Sequence, residues 1–140
     1  GSRQIYVLYI RTTPARLWRA LTRGEITRKF YFGMALRGTL KVGSPLQYID
    51  PKGNVMIRGK VIEAKRPQRL IHTFEFQHQK WVTTRVAYTL QNNGPVVKLT
   101  LVHDLLARSP GTALDVSSGW PLILSGLKTL LETGKGLYAK

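Results

Sequence analysis

The chain has 140 residues, no cysteine, and 22 lysines and arginines against seven acids, which gives a formal net charge of +15. This length predicts one domain over residues 1–140. The lack of cysteine excludes a disulfide framework, a thiol nucleophile and a cysteine-ligated metal. Residues 1–2, Gly-Ser, are typical of an expression scar, so the native N-terminus is expected to be missing. Because no signal peptide and no apolar run of ~20 residues is seen, we expect a cytoplasmic protein.

The basic residues are spread along the whole chain, from Arg3 to Lys140. Such a surface attracts nucleic acid, anionic lipid and acidic proteins without specificity. Specific nucleic-acid binders usually concentrate their charge on one face, whereas cationic supercharging for solubility gives a dispersed pattern. The distribution therefore favours solubility, and a cationic module that binds nucleic acid or an acidic protein partner stays as an alternative.

The first third of the chain predicts one strand and two short helices. Residues 4–11 are rich in β-branched and aromatic side chains, which are typical of a strand. Thr13 and Pro14 are suited to the N-cap and first position of a helix. We expect Gly24 to end that helix and a second short helix to cover residues 25–30.

Six further strands are predicted between turn signals. They cover residues 34–42, 46–50, 55–64, 70–77, 81–91 and 96–104. Gly38 interrupts the first of these strands, and Pro51-Lys52-Gly53-Asn54 and Asn92-Asn93-Gly94 are typical of tight hairpin turns. Seven strands joined by short turns predict an antiparallel meander.

The last long segment predicts an amphipathic helix. Trp120, Leu124, Leu127 and Leu131 recur at the spacing of one helix face. Gly134 is a natural residue for the position after the helix C-terminus.

The beginning of that helix is less clearly marked. Residues 105–114 are interpreted as a loop, with a helix start near Thr112. Pro121 is expected to kink the helix, or Gly119 to break it.

In this order of elements the chain resembles the SRPBCC/START-like helix-grip superfamily, and more narrowly the bacterial proteins related to the activator of a heat-shock chaperone ATPase. The resemblance is carried by Thr12–Thr22, Tyr31–Gly33, Lys41–Pro45, Gly59–Glu63, Arg66–Phe74, Leu99–Asp104, Gly119–Leu124 and Thr129–Gly134. It implies an α+β helix-grip fold. In that fold a curved antiparallel sheet of about seven strands wraps round a long C-terminal helix, and two short helices follow the first strand.

The resemblance also implies a deep, largely apolar cavity between the sheet and the long helix. Members of the superfamily bind lipids, hormones and polyketides, or act as cyclases and hydratases. Many members of this branch have no assigned activity, and the chaperone role belongs to a eukaryotic relative, so the fold alone does not transfer it.

The chain departs from the family pattern in its charge. The hairpins and the first helix, where acids are usual in the family, carry Arg16, Arg19, Arg23, Arg28, Lys52, Arg58, Lys60 and Lys65. Residues 34–40 are also more apolar than the usual segment. These departures indicate an engineered, positively supercharged member, with a natural basic paralogue as the alternative.

Two histidines are candidates for catalysis. His72 and His103 are expected on neighbouring strands and facing inward, whereas His78 lies in a turn. A facing pair of histidines can act as general acid and base. No histidine or carboxylate spacing supports a metal site, so packed histidines are favoured and neither a metal nor a cofactor is predicted. Glu63 and Asp104 are expected to tie turns or to pair with arginines.

The aromatic residues predict a ligand cavity, because a concave apolar site with a few polar groups is the usual small-molecule site. The predicted lining is Tyr31, Met34, Tyr48, Met56, Phe74, Tyr88, His103, Trp120, Leu124 and Leu127. The Tyr88 hydroxyl and the His103 imidazole would orient the ligand, and Leu124 and Leu127 would form the floor.

The sequence thus favours binding of a hydrophobic small molecule in the cavity, or a supercharged scaffold derived from such a protein. The first alternative is a cavity enzyme that carries out lyase or hydrolase chemistry through His72 or His103. The second alternative is the cationic surface module.

Overall fold

The computed structural model describes residues 2–139, which form a seven-stranded antiparallel sheet, two short helices and one long C-terminal helix. The elements in chain order are β1 (Gln4–Ile10), α1 (Pro14–Thr22), α2 (Gly24–Thr27), β2 (Ala35–Arg37), β3 (Pro45–Ile49), β4 (Val55–Lys65), β5 (Arg69–Phe76), β6 (Thr83–Asn93), β7 (Val96–Asp104) and α3 (Pro110–Thr133). This is the predicted α+β helix-grip fold.

The sheet order is β1-β7-β6-β5-β4-β3-β2, so six consecutive strands form the predicted meander. The first strand closes the sheet on its far side by pairing with the last one, from Gln4 opposite His103 to Ile10 opposite Val97. No helix within residues 2–139 is long and apolar enough to cross a membrane.

The core lies between the concave face of the sheet and α3. Side chains on β6 and β7 alternate between the interior and the outer face, as the two-residue period of a strand requires. The predicted apolar stripe of α3 covers this face: Trp120, Leu124 and Leu127 are buried, and Leu131 is half-buried.

The first helix begins as predicted, but Gly24 does not end it. Thr13 Oγ1 accepts a hydrogen bond from the backbone N–H of Arg16 at 3.2 Å, and Pro14 occupies the first turn. Gly24 is instead the first residue of α2, whose backbone lies directly on β2. A Cβ atom at Gly24 would come within 2.5 Å of the Leu36 carbonyl oxygen. The position therefore requires glycine for close approach.

The second helix is shorter than the predicted 25–30. Thr27, its last residue, is buried. Its hydroxyl donates to the Met34 carbonyl at 3.0 Å and accepts from the Leu36 N–H at 2.9 Å. These bonds tie the end of α2 to the beginning of β2.

The C-terminal helix begins earlier than predicted and is continuous. Its N-cap is Ser109, whose hydroxyl accepts from the Thr112 N–H at 3.4 Å, and Pro110 takes the first helical position. The helix then continues through Gly119 and Pro121 without interruption. Gly134 closes it in the left-handed conformation, with φ of 79°, as predicted.

Two strands depart from their predicted bounds because residues with positive φ precede β6 and follow β2, so that β6 is shifted by two residues and β2 is shortened. Lys80 and Trp81 have φ of 56° and 59°, so β6 begins only at Thr83. In the same way, Gly38 with φ of 151° and Leu40 with φ of 60° follow directly after the three residues of β2.

Candidate ligand-binding pocket

An apolar pocket of about 580 Å³ opens between the first half of α3 and the sheet. Its wall combines aromatic and aliphatic side chains from α3, β4, β5 and the segment after α2: Tyr31, Phe32, Met34, Ile57, Phe74, Phe76, Val116, Trp120, Leu122 and Ile123. The polar residues of the pocket are His78, Gln79, Asp115 and Ser118. Gln79 Nε2 donates to Asp115 Oδ2 at 2.9 Å, which links the turn after β5 to α3.

Four of the ten residues predicted to line a cavity lie on this wall. They are Tyr31, Met34, Phe74 and Trp120. Met56 is half-buried and does not contribute, whereas its neighbour Ile57 does. Met56 packs against the core at an irregularity in the pairing of β3 with β4, between the pairs Ile49–Val55 and Tyr48–Ile57, where the regular alternation of the strand is broken.

The other five predicted residues lie in the packed core and not on the pocket wall. They are Tyr48, Tyr88, His103, Leu124 and Leu127, each at most 5% exposed. The proposed floor at Leu124 and Leu127 is therefore corrected. The wall includes Trp120 and Ile123, one helical turn closer to the start of α3.

The reason is the indole of Trp120, which fills the space between α3 and the sheet. Trp120 is 1% exposed. Its ring lies 5.9 Å from Tyr31 and from His103, and 6.4 Å from Phe74 and from Tyr88, measured between ring centroids. The structure therefore has a pocket on one side of this ring instead of the predicted cavity that reaches Leu124 and Leu127.

His103 has both ring nitrogens engaged in hydrogen bonds. The indole N–H of Trp120 can only donate, so His103 Nδ1 accepts from it, at 3.0 Å. The proton of the neutral ring then lies on Nε2, which donates to Thr84 Oγ1 at 2.8 Å. The Thr84 hydroxyl in turn donates a hydrogen bond to the Phe74 carbonyl oxygen at 2.9 Å. Burial lowers the pKa of His103 to about 3, so the imidazole is neutral and fully bonded.

His72 is also buried and neutral, but one of its nitrogens has no partner. Its Nδ1–H donates to the Thr73 carbonyl at 2.7 Å, and Nε2 has no hydrogen-bond partner among residues 2–139. Burial lowers the pKa of His72 to about 4. His72 and His103 were predicted on neighbouring strands, which is wrong: β6 separates them, and its Val86 is opposite both.

Three buried tyrosines, Tyr31, Tyr48 and Tyr88, lie in the core near His72. The rings of Tyr31 and Tyr48 stack at 4.4 Å, and His72 lies 6.5 Å from Tyr48 and 6.2 Å from Tyr88. Burial raises the pKa of Tyr48, and side-chain hydrogen bonding with Tyr88 and Tyr31 opposes that rise. Tyr31 also lies on the wall of the pocket.

Phe32 marks the mouth of the pocket and was not predicted as a site residue. Its side chain is 55% exposed, and its backbone lies in the left-handed region with φ of 52°. Its ring is next to Gly119, where an added Cβ atom would lie 3.6 Å from Phe32 Cε2. The aromatic run of residues 30–32 was the available signal, but the turn that exposes Phe32 depends on positive φ values that the sequence does not reveal.

The carboxylates of the sheet do not form a catalytic pair. Glu63 accepts from Arg69 Nε at 2.9 Å, and Asp104 accepts from Arg85 Nε at 3.0 Å, which confirms the predicted arginine pairing. Glu75 pairs with Arg58. Within residues 2–139 there is no group of three or more histidines and acids able to hold a metal ion.

Comparison with known proteins gave a family match and several similar folds. Residues 11–132 match the family model of the Activator of Hsp90 ATPase homolog 1-like protein. No curated protein matched the sequence.

Three solved structures illustrate the likeness in fold. The Aha1 dimer from Colwellia psychrerythraea is 19% identical, with a TM-score of 0.80 over 97% of this chain and 100% of that one. PFC0360w, an HSP90 activator from Plasmodium falciparum, is 19% identical, with a TM-score of 0.78 over 94% of this chain and 96% of that one. CalU16 from Micromonospora echinospora is 19% identical, with a TM-score of 0.76 over 94% of this chain and 77% of that one.

Proposed function

This chain belongs to the family of Activator of Hsp90 ATPase homolog 1-like proteins, and on that premise we propose that it binds a hydrophobic small molecule in the pocket beside Trp120. The observation that carries the proposal is the pocket itself. Its volume of about 580 Å³ lies within the range of roughly 300–1,000 Å³ that small-molecule sites occupy. Ten of its lining side chains are aromatic or aliphatic, with a few polar groups beside them.

The wall favours a flat, apolar ligand with a polar end. Phe74, Phe76 and Trp120 offer ring faces and edges to such a body. Asp115 and His78 are exposed, so they suit a polar group that stays in contact with water. Aromatic side chains in a pocket wall contribute to ligand affinity through the apolar area that they bury and through favourable ring–ring geometry.

The geometry does not favour acid–base catalysis at His72 or His103. A general base needs to lie within hydrogen-bonding reach of the proton that it removes. Both nitrogens of His103 are already bonded, and neither histidine is among the residues that line the pocket. We therefore place binding ahead of the lyase or hydrolase hypothesis.

The excess charge supports a separate hypothesis, that of a positively supercharged scaffold derived from such a binding protein. Exposed cations occur on most elements, among them Arg19 on α1, Arg37 on β2, Lys60 on β4 and Arg69 on β5. Such a dispersed pattern adds solubility. It leaves the apolar pocket beside Trp120 as the place for a ligand.

The proposal is tested with a neutral fluorescent probe, N-phenyl-1-naphthylamine, because an uncharged dye is not attracted by the net charge. The wild-type chain should bind the dye saturably, and binding should persist at ~0.5 M NaCl, where charge attraction is screened. The variant F32N/L122Q replaces two partly exposed apolar residues at the pocket. We expect about thirtyfold weaker binding, since each of the two lost apolar contacts is worth on the order of 1 kcal/mol.

The matched control is V42N/I62Q. It makes the same kinds of change at two exposed apolar residues that do not line the pocket. This control should bind the dye like the wild-type chain. The proposal fails if the wild-type chain shows no saturable binding, or if both double variants weaken it equally.

A further inference from the structure

A second cleft of about 780 Å³ lies between α1, α2, β2 and the turn that joins β4 to β5. It shares no lining residue with the apolar pocket. We propose that this cleft is an anion site that binds the neighbouring phosphate groups of a small oligophosphate.

Four arginines from four parts of the fold converge on this cleft. Arg19 lies on α1, Arg23 between α1 and α2, Arg37 on β2, and Arg66 in the turn after β4. Arg19 and Arg23 are four residues apart, whereas Arg37 and Arg66 are distant in sequence, so folding brings three separate segments to the cleft. The cleft thus differs from the rest of the chain, where the cations are dispersed.

The cleft contains a single carboxylate for these four guanidinium groups. Glu25 lies 4.0 Å from Arg23, and both side chains are well exposed, so this pair contributes little. Arg37 donates to the neutral Gln47 at 2.9 Å. Within residues 2–139, neither Arg19 nor Arg66 has an acidic partner within 4.0 Å.

The outer face of the sheet shows the opposite arrangement. Arg58, Arg69 and Arg85 each face a carboxylate on an adjacent strand. Those arginines are neutralised by a carboxylate, whereas Arg19, Arg37 and Arg66 of the cleft have no acidic partner within 4.0 Å among residues 2–139. The chain therefore offers one concentrated place for an anion within its generally basic surface.

The chemistry of the cleft favours phosphate. The planar guanidinium group presents paired N–H donors that match phosphate oxygens. A cleft of this size, with four such groups, has room for more than one phosphate. An oligophosphate carries charged oxygens on each of its phosphates, so it can accept hydrogen bonds from more than one arginine.

The floor of the cleft argues against a nucleic acid as the natural ligand. Single-stranded nucleic acids are usually held by aromatic side chains on which bases stack. The aromatic residue here is Trp18, which is only 7% exposed and packs in the core. The cleft can therefore bind phosphate groups without offering a stacking surface.

The test compares two triple variants with equal net charge. R19Q/R37Q/R66Q removes three cleft arginines, and K52Q/R108Q/K135Q removes three cations that lie outside the cleft. All six side chains are exposed, so both variants should fold. Sodium tripolyphosphate is titrated by calorimetry at ~0.15 M NaCl. The wild-type chain and the control should bind about one equivalent, and the cleft variant should bind at least about thirtyfold more weakly.

Equal weakening in both triple variants would assign the binding to net charge and overturn the proposal, as would the lack of saturable binding to the wild-type chain. A twelve-residue oligothymidylate is titrated in parallel. We expect its affinity to fall equally in the two variants. Tighter binding of the oligothymidylate than of tripolyphosphate, lost only in the cleft variant, would replace the oligophosphate assignment by a nucleic-acid site.

Discussion

The two buried histidines make stability depend on pH. The pKa of His72 is lowered to about 4 and that of His103 to about 3, in both cases by burial, against about 6.5 in an unfolded chain. As the pH falls below 6.5, the two histidines become protonated in the unfolded chain but stay neutral in the native state. The free energy of unfolding therefore decreases. We expect a loss of about 2 kcal/mol per histidine between pH 7.5 and pH 5, measured by urea unfolding.

The variant His72→Gln should lose roughly half of this pH dependence, and His78→Gln, at an exposed turn, should keep all of it. Asp50 and Glu132 add little in this pH window. The backbone N–H of Asn54 lowers the pKa of Asp50, and that of Arg11 lowers the pKa of Glu132, so both titrate at lower pH. Equal pH slopes in the wild-type chain and His72→Gln would contradict the buried, neutral state of His72.

For the same residues, the sequence predicted which histidines face inward but not their hydrogen-bond partners. Alternation along β5 and β7 was enough to place His72 and His103 inside. The bond from Trp120 to His103 depends on how α3 lies across the sheet, and no local pattern encodes that. The position of Met56 shows a related limit, because the irregular pairing of β3 with β4 at this residue is not visible in the alternation of the sequence.

At the scale of the elements, a substitution at Gly119 tests whether α3 is one continuous helix. Gly119 lies inside this helix, and an added Cβ would make ordinary contact with Phe32. Since alanine is favoured over glycine in a helix by about 1 kcal/mol, Gly119→Ala should raise the free energy of unfolding by ~0.5–1 kcal/mol. Gly24→Ala should lower it by on the order of 1–3 kcal/mol, because its Cβ would meet a backbone carbonyl. Urea unfolding of both variants measures the contrast, and destabilisation by Gly119→Ala would indicate a break in α3.

Strands were easier to predict than helix boundaries. Turn residues separate the strands, so all seven were found and most bounds differ by one or two residues. The start of α3 was missed, although Ser109-Pro110 repeats the Thr13-Pro14 signature of α1. Gly24 was assigned by its usual role at helix ends, whereas tertiary contact with β2 determines its position.

At the scale of the whole molecule, repulsion between the surface cations lowers the stability of the fold. Twenty-two cations face seven acids, and most of those acids are already paired with a basic side chain. Exposed ion pairs contribute little, whereas a net charge far from zero destabilises the compact state by self-repulsion. The fold must therefore gain its stability from the core around Trp120, and the surface reduces that stability.

Added salt should consequently stabilise the protein, because it screens repulsion between cations more than it weakens the few ion pairs. We expect the Tm measured by calorimetry to rise by about 3–5 °C between ~20 mM and ~0.5 M NaCl, which corresponds to a gain of roughly 1 kcal/mol. The triple variant K52Q/R108Q/K135Q carries three fewer cations, so it should have a higher Tm than the wild-type chain at low salt and a smaller rise with salt. A Tm that falls with salt in the wild-type chain would mean that the ion pairs on the outer face of the sheet outweigh the repulsion between the remaining cations.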